Sequence, residues 1–342
     1  MNRQNCQPLA GINQKWMRAW GIFFMQLLNG ALLKRVFSEH QSRKKEVKRL
    51  LKVVTSVLLM SALLPDSFAQ EGEVCSLEEW PQDMLTAWQS HSMISNEKTS
   101  CYAKLITTMD IARDLRDQVI AEFDIILPRA AYKVVGLDPV NAALDGVDRP
   151  MVGAMYVSSF LPNNAAIAVD SAQILITEPD ILFRVKDSAI NDANTLEDAL
   201  SHIDRVYAFI EVPAPLFNNN PPNPYLMQAS NLLPRWGVIG DSIAVSDSPD
   251  FLRSLESMNV SFIDEKGEIL AEERGDYLGG NPLQGVLEVV KELRRQGESL
   301  QPGDLVSSGS YMPPIPVKSG METVTRYEGI GGQTLEARAS YR

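Results

Sequence analysis

Histidine and cysteine are scarce in this chain of 342 residues, which contains three of each. Beyond residue 69 only His91 and His202 remain. So few histidines exclude most His-rich metal sites and disfavour a Ser-His-Asp triad. Because His91 lies in the polar stretch AWQSHSM and His202 follows Ser201 in a short helical pattern, we interpret both as surface side chains.

Phosphate-binding glycine motifs are also lacking. No P-loop is present, and the glycine cluster GIGG at 329–332 does not stand between a strand and a helix. We therefore interpret it as a hairpin turn. No internal repeat is visible along the chain.

The first 69 residues differ in composition from the rest. Residues 43–52 (RKKEVKRLLK) are basic, the apolar run 53–64 (VVTSVLLMSALL) follows, and Ser67 and Ala69 suit a small-residue cleavage site. This order predicts a signal peptide over 47–69 and a periplasmic or secreted protein, with a cytoplasmic one as the alternative. The apolar run is too short to span a bilayer comfortably, although an uncleaved anchor or an amphipathic helix stays open.

The residues before this segment, 1–46, are interpreted as a possible over-extended N-terminus, because KRLLKVV directly follows Val47 as in a conventional signal start. The first 69 residues hold 11 of the 32 basic and 3 of the 43 acidic residues, so the remainder carries a formal charge of −19. Such a charge disfavours nucleic acid and anionic membranes as partners. An anionic substrate would then need local positive charge or a metal.

Two of the three cysteines, Cys75 and Cys101, lie beyond the predicted cleavage site. An even number of cysteines in an exported chain indicates a disulfide between them. The alternative is two unrelated thiols. Their spacing is not the C-x-x-C of redox or zinc sites.

The body of the chain changes from a helical to a strand-rich pattern. Residues 70–127 form a predicted helical segment, and 128–342 a predicted domain of short strands rich in β-branched and aromatic residues. Residues 281–297 (NPLQGVLEVVKELRRQG) are the strongest helix prediction, with Asn281 as cap and Gly297 as stop. This order predicts an α+β fold with a mixed or antiparallel sheet and one long helix packed on it.

Acidic residues stand inside two of the apolar strand patterns. Glu178 and Asp180 lie two apart in ILITEPDILFRV, so they share one face of a strand, and Glu211 lies in VYAFIEVPAP. Three carboxylates without histidine or cysteine suit Mg²⁺ or Mn²⁺ rather than zinc. The alternative is that Glu211 only ends a strand and that Glu178 pairs with a base such as Arg184.

Two lysines also lie among apolar residues, Lys133 in AYKVVGLD and Lys318 in PPIPVKSG. Each is interpreted either as a side chain that snorkels to solvent or as a group that contacts a substrate carboxylate or transfers a proton.

These stretches, in their order along the chain, resemble the fumarylacetoacetate hydrolase superfamily, and most closely its 2-keto-4-pentenoate hydratase and 4-oxalocrotonate decarboxylase branch. The resemblance covers about 60% of the chain, from about residue 130 to 340. It rests on AYKVVGL, LDGVDRPMVGAMY, ITEPDILFRV, VYAFIEV, PIPVKSGMETV and, most specifically, the stretch from 268 to 320.

The resemblance implies a mixed β-sheet roll and a lyase that acts on a small 2-oxoacid, by hydration of a 2-hydroxypenta-2,4-dienoate type substrate or by decarboxylation through a metal-stabilised enolate. It implies Glu178, Asp180 and Glu211 as ligands of Mg²⁺ (or Mn²⁺) and Lys133 as the catalytic residue. It further implies that the protein forms a homo-oligomer. The residues that it implies contact the substrate are Lys318, Ser308, Ser310 and Gln228.

Some positions depart from the family pattern. Met151 stands where the DQPDYG-like stretch often carries an acid, the second metal ligand is Asp180 rather than Glu, and Gln228 replaces an Asn. Met151 and the predicted export favour an alternative, a non-catalytic protein that binds a 2-oxoacid and a metal on the same scaffold. An acylpyruvate-type C–C hydrolase is a further alternative, which the few histidines disfavour.

Overall fold

The structure, a computed structural model, describes residues 75–138, 142, 147, 149–218 and 223–342. The predicted signal peptide over 47–69 and the predicted over-extended N-terminus over 1–46 lie outside these residues. Among the residues described, no helix is both long enough and apolar enough to cross a membrane.

Three helices begin the described chain: α1 (Trp80–Gln89), α2 (Asn96–Leu105) and α3 (Met109–Asp124). Side-chain oxygens of Ser95 and Thr108 cap the latter two by accepting from the backbone N–H three residues on. An apolar face of this region is buried, and consists of Ile106, Met109, Leu115, Val119 and Phe123.

The larger sheet holds eight strands, seven in one row and the last, β11, beside β5. These strands are β1 (Arg129–Val135), β2 (Met151–Tyr156), β3 (Phe160–Pro162), β5 (Ile176–Val185), β6 (Ile203–Val212), β7 (Trp236–Ala244), β10 (Leu305–Ser307) and β11 (Ile315–Pro316). The row runs β2-β1-β10-β5-β6-β7-β3, and β1 pairs in parallel with β10, so the sheet is mixed.

A second sheet holds five strands, β4 (Ala165–Ile167), β8 (Asn259–Asp264), β9 (Ile269–Arg274), β12 (Glu322–Ile330) and β13 (Gln333–Tyr341). Its order is β4-β13-β12-β8-β9. Two of its connections are hairpins, one at the Asp-Glu-Lys-Gly turn between β8 and β9 and one at the predicted GIGG turn between β12 and β13.

Four more helices follow the first strands: α4 (Leu196–Ser201), α5 (Pro224–Ala229), α6 (Pro249–Ser257) and α7 (Gln284–Gln296). Short 3-10 turns occupy Val157–Ser159, Val169–Ser171, Ser188–Asp192 and Gly275–Tyr277. Helix α7 ends at Gly297 in the left-handed conformation, as predicted. It begins three residues after Asn281, whose side chain instead accepts from the N–H of Leu283 and caps the turn before the helix.

An apolar stripe along α7 and the residue before it is buried, and consists of Leu283, Val286, Leu287, Val290 and Leu293. It packs with one face of the larger sheet, where Tyr132, Val134 and Ile181 point into the main core. The opposite face carries a small apolar cluster of Ala131, Met155, Leu182 and Phe209. The mixed α+β architecture predicted from the sequence is thus confirmed, and this second face is where the polar residues below lie.

Candidate metal and substrate site

Strand register brings the three predicted acidic residues together. Strands β5 and β6 are antiparallel, and Glu178 lies directly opposite Glu211 in their ladder. Asp180, two residues along β5, points to the same side of the sheet because side chains alternate along a strand. Asp180 and Glu211 are buried, whereas Glu178 keeps part of its surface exposed.

A lysine joins this group from another strand. Lys133 on β1 lies opposite Gly153 on β2 and level with Ser307 on β10. Its ammonium group forms an ion pair with Glu211, and both residues are at most 2% exposed. The pair therefore lies in a region where water screens charges weakly.

The Asp180 carboxylate is held by the turn that follows β10. Its Oδ2 accepts from the hydroxyl of Ser307, and its Oδ1 accepts from the N–H of Gly309 (3.1 Å) and from that of Ile181 (2.6 Å). Gly309 has a φ of 100°, and a Cβ there would lie 2.8 Å from the carbonyl oxygen of Val134. Glycine is thus required for this turn to reach the carboxylate.

Burial and mutual repulsion make two of these residues, Glu178 and Asp180, weak acids. Desolvation, followed by the negative charge of Glu211, raises the pKa of Glu178 to about 8 and that of Asp180 to about 7. The Lys133 ammonium opposes both shifts, as does the Ser307 hydrogen bond for Asp180. One lysine does not balance three carboxylates, so the site would gain from a further positive charge.

The donor chemistry of this group fits a hard divalent cation, because all three side chains offer carboxylate oxygens. Within the described ranges, however, no three His, Cys, Asp or Glu side chains are arranged as a metal-binding group. Two of the carboxylates are already occupied by other partners. Glu211 contacts Lys133, and both oxygens of Asp180 already accept hydrogen bonds. Binding a cation would require these side chains to exchange partners.

The two serines predicted to face substrate lie on either side of Gly309. Ser308 is fully buried, its N–H donates to the carbonyl oxygen of Ile181 (3.2 Å), and a Cβ on Gly285 of α7 would approach its Cα within 3.0 Å. Ser310 is partly buried, and its hydroxyl lies within hydrogen-bonding distance of two acceptors, the carbonyl oxygen of Met312 (2.7 Å) and the carboxyl group of Glu178. Its single hydrogen can be donated to only one of them at a time. Of the two, Ser310 is the one that contacts the acidic group.

The predicted substrate-binding residues Lys318 and Gln228 make no hydrogen bond or ion pair with the three carboxylates in the contacts described. Lys318 is exposed, two residues after β11. Gln228 is buried on α5, and its Nε2 donates to the carbonyl oxygen of Val152 (3.1 Å), next to the strand position opposite Lys133. The Oε1 of Gln228 has no hydrogen-bond partner in the described part of the chain.

Met151, which stands at the family's acidic position, is 1% exposed. It lies opposite Val135 at one end of the β1–β2 ladder and packs in the apolar cluster of the N-terminal helices. Its surroundings are therefore those of a core residue.

The two cysteines beyond the predicted signal are bonded. The sulfur atoms of Cys75 and Cys101 are 2.06 Å apart, and the bond ties the chain five residues before α1 to the middle of α2. The alternative of two unrelated thiols does not describe this structure.

Sequence reasoning missed Ser307 and Gly309, although both contact Asp180. The family resemblance selected their sequence neighbours instead: Ser308, which lies between them, and Ser310, which follows Gly309. Strand alternation offered a signal, because the last residue of a strand beside β5 can present its side chain to the face that carries Asp180. That signal needed the strand order, which the sequence pattern did not provide.

Comparison with known proteins finds hydratases and a decarboxylase. The chain is 24% identical over 197 residues to a 2-keto-4-pentenoate hydratase of Paraburkholderia phymatum, covering 57% of this chain and 71% of the relative. It is 25% identical over 218 residues to the TodF product hydratase of Pseudomonas putida, covering 60% and 75%. No protein-family model matches the chain.

Among solved structures, the fold is similar to that of 4-oxalocrotonate decarboxylase from Pseudomonas putida G7, complexed with magnesium and adipate. The TM-score is 0.66 at 18% identity, over 78% of this chain and 97% of the other. The resemblance to the hydratase and decarboxylase branch of the fumarylacetoacetate hydrolase superfamily, predicted from the sequence, is confirmed.

Proposed function

We propose that this protein is a divalent-metal-dependent lyase that acts on a small 2-oxoacid, either by adding water to a 2-hydroxypenta-2,4-dienoate type substrate or by decarboxylation. The observation that carries the proposal is the convergence of Glu178, Asp180, Glu211 and Lys133 on one face of the larger sheet. The names of the relatives, which are hydratases and a decarboxylase, support the same reaction class.

The three carboxylates would hold the cation, which we propose is Mg²⁺ or Mn²⁺. Magnesium in the related decarboxylase structure supports this choice. When bound, the cation supplies Lewis-acid polarisation of the 2-oxo group of the substrate. Its positive charge would also lower the pKa values of Glu178 and Asp180, so that both carboxyls ionise near neutral pH.

Lys133 is the proposed group for proton transfer. Its ammonium group pairs directly with Glu211, and its burial keeps it away from bulk water. Release from Glu211 would free the ammonium group to contact the substrate carboxylate or to give a proton to the enol carbon skeleton. Ser310, which contacts Glu178, is the proposed hydroxyl nearest the substrate.

The experiment follows the absorbance of 2-hydroxypenta-2,4-dienoate and, separately, carbon dioxide release from 4-oxalocrotonate. Each assay is run with Mg²⁺, with a chelator, and with Glu178→Gln. We expect turnover that the chelator abolishes and that Glu178→Gln lowers at least about 100-fold, since a metal ligand supports a Lewis-acid step. Turnover that survives both treatments would exclude the metal-dependent reaction.

A second candidate function is a non-catalytic protein that binds a 2-oxoacid and a metal. The observation that favours it is Met151, which is buried among apolar side chains at the position where the family often carries an acid. Calorimetry with oxalate, which mimics an enolate, separates the two candidates. Metal-dependent oxalate binding without turnover of either substrate would favour the binding protein.

Two further properties stay predictions from the sequence. Export to the periplasm or out of the cell depends on the segment 47–69, and the mass of the purified protein would show cleavage after Ala69. Assembly into a homo-oligomer is measured by light scattering on the same sample.

A further inference from the structure

The chain after α5 contains three consecutive residues with left-handed backbone. Asn231, Leu232 and Leu233 have φ values of 60°, 54° and 60°, although none is glycine. Such a run is unfavourable for residues with a Cβ, and it persists only where surrounding contacts fix it. We call residues 231–233 the left-handed turn.

Two tryptophans of the N-terminal helices fix the ends of this turn. The indole N–H of Trp80 donates to the carbonyl oxygen of Ala229 (2.9 Å), and that of Trp88 donates to the carbonyl oxygen of Pro234 (3.0 Å). The guanidinium of Arg235 stacks on the Trp88 ring at 4.8 Å and donates to its carbonyl oxygen. The turn is therefore held from both sides by helix α1.

On the side away from α1, Asn231 forms hydrogen bonds with β2, the strand that pairs with the strand of Lys133. Its Oδ1 accepts from the N–H of Ala154 (2.6 Å), and its Nδ2 donates to the carbonyl oxygen of the same residue (3.0 Å). A Cβ on Gly153 would lie 2.8 Å from the Asn231 carbonyl oxygen, so the two backbones are in direct contact. Gly153 is the residue that lies opposite Lys133 in the β1–β2 ladder.

The same turn also contacts the chain just beyond β6, the strand that carries Glu211. The carbonyl oxygen of Leu233 accepts from the N–H of Ala214, three residues beyond Glu211 (3.1 Å). Three residues after the turn, β7 begins, and its Gly237 lies opposite Glu211. The left-handed turn thus touches the neighbours of both partners of the buried ion pair.

We propose that Asn231 is a positioning residue, which fixes β2 and thereby the distance between the Lys133 ammonium and the Glu211 carboxylate. Both hydrogen bonds of its side chain are made to Ala154 of β2, and the left-handed backbone orients the side chain toward that strand. Its effect on turnover rests on the proposed lyase function, whereas its effect on the position of Lys133 does not.

The test uses Asn231→Gly, which permits the left-handed backbone but removes the side chain that grips Ala154. A second variant, Gly153→Ala, displaces the turn from the strand side. The control is Asn164→Gly, because Asn164 also has a positive φ (65°) but lies exposed outside the site. Circular dichroism confirms that each variant folds.

The first readout is acylation of lysines by dilute acetic anhydride, quantified by mass spectrometry as labelling of Lys133 relative to exposed Lys318. We expect this ratio to rise at least about fivefold in Asn231→Gly and Gly153→Ala and to stay unchanged in Asn164→Gly, because a buried amine reacts only when the structure around it opens locally. An unchanged ratio in both site variants overturns the proposal.

The second readout is the separation of kcat from KM on whichever substrate the wild-type protein turns over. A positioning role predicts a fall in kcat of about tenfold or more with KM changed less than about twofold. Increased labelling with an unchanged kcat would show a purely structural role and overturn the proposal. If the wild-type protein shows no turnover, the proposed lyase function is wrong. The labelling ratio then still decides whether Asn231 positions Lys133.

Discussion

Lys133 pairs with Glu211 although two strands, β10 and β5, lie between the strands that carry them. The two side chains therefore meet across the face of the sheet. Removing one partner of such a buried ion pair destabilises the folded state strongly, because the other charge stays buried without compensation.

Replacing Lys133 by Met should therefore affect both stability and chemistry. We expect the free energy of unfolding to fall by about 3 kcal/mol, because Glu211 loses its only ion-pair partner among the described residues. Turnover should fall at least about 100-fold if Lys133 transfers a proton. Urea unfolding and the substrate assay measure the two effects.

The control for this variant is Lys266→Met, which removes an exposed lysine from the β8–β9 turn. Its stability should stay within about 0.5 kcal/mol of wild type. A Lys133→Met protein as stable as this control would contradict the idea that the pair supports the fold.

Asp180 allows its structural and metal-binding roles to be separated. In Asp180→Asn the amide oxygen can still accept from the N–H groups of Gly309 and Ile181, so we expect a loss of stability below about 1.5 kcal/mol. In Asp180→Ala these donors lose their acceptor in a buried place, and the loss should reach about 2–4 kcal/mol.

Affinity for Mn²⁺, measured by calorimetry, completes this comparison. Both variants should bind at least about tenfold more weakly than wild type, because a neutral side chain replaces a carboxylate ligand. If Asp180→Asn keeps the wild-type affinity, Asp180 serves the turn after β10 and not the metal.

The residues of this site differ in how far the sequence could predict them. Glu178, Asp180 and Glu211 stand out because acids are rare inside apolar strands, and period-two alternation alone placed the first two on one face. The helix α7 was predictable for a similar reason, since its apolar stripe and its glycine stop are local signals.

The contacts of Asn231 and Ser307 could not be predicted, because they depend on which strands are neighbours. Nothing in the sequence around Asn231 indicates three left-handed residues, since tertiary contacts from Trp80 and Trp88 impose that backbone. Long-range pairing also explains why Gln228, selected by family resemblance, contacts the carbonyl oxygen of Val152 rather than the acidic group.

The raised pKa values of Glu178 and Asp180 predict that the metal-free protein loses stability as the pH rises. Both carboxyls bind protons more tightly in the folded state than in the unfolded chain. Their pKa values are about 8 for Glu178 and about 7 for Asp180 in the folded state, whereas ordinary pKa values of such groups lie near 4. Between these limits the folded state holds more protons, so the free energy of unfolding falls from about pH 4 to about pH 8 and then levels. Urea unfolding in the presence of chelator measures this slope.

Glu178→Gln isolates the contribution of this residue from other titrations. The variant should lose less stability than wild type between pH 5 and 8 by the same measurement, because it has no carboxyl to deprotonate. Saturating Mg²⁺ should flatten the wild-type slope, since a cation favours the ionised carboxylates. A wild-type slope equal to that of the variant would show that Glu178 titrates as an ordinary exposed acid.

The bond between Cys75 and Cys101 predicts a stability that depends on reducing agent. It closes a loop with a sequence separation of 26 residues, and such a loop restricts the unfolded chain enough to stabilise the folded state by about 2–4 kcal/mol. We expect dithiothreitol to lower the Tm of the wild-type protein by several degrees, while a Cys75→Ser, Cys101→Ser double variant melts at this lower temperature with or without the reductant. Because helix α1 supplies Trp80 and Trp88 to the left-handed turn, the double variant should also show increased acylation of Lys133. A lower Tm without increased labelling would mean that the helices hold the turn independently of the disulfide.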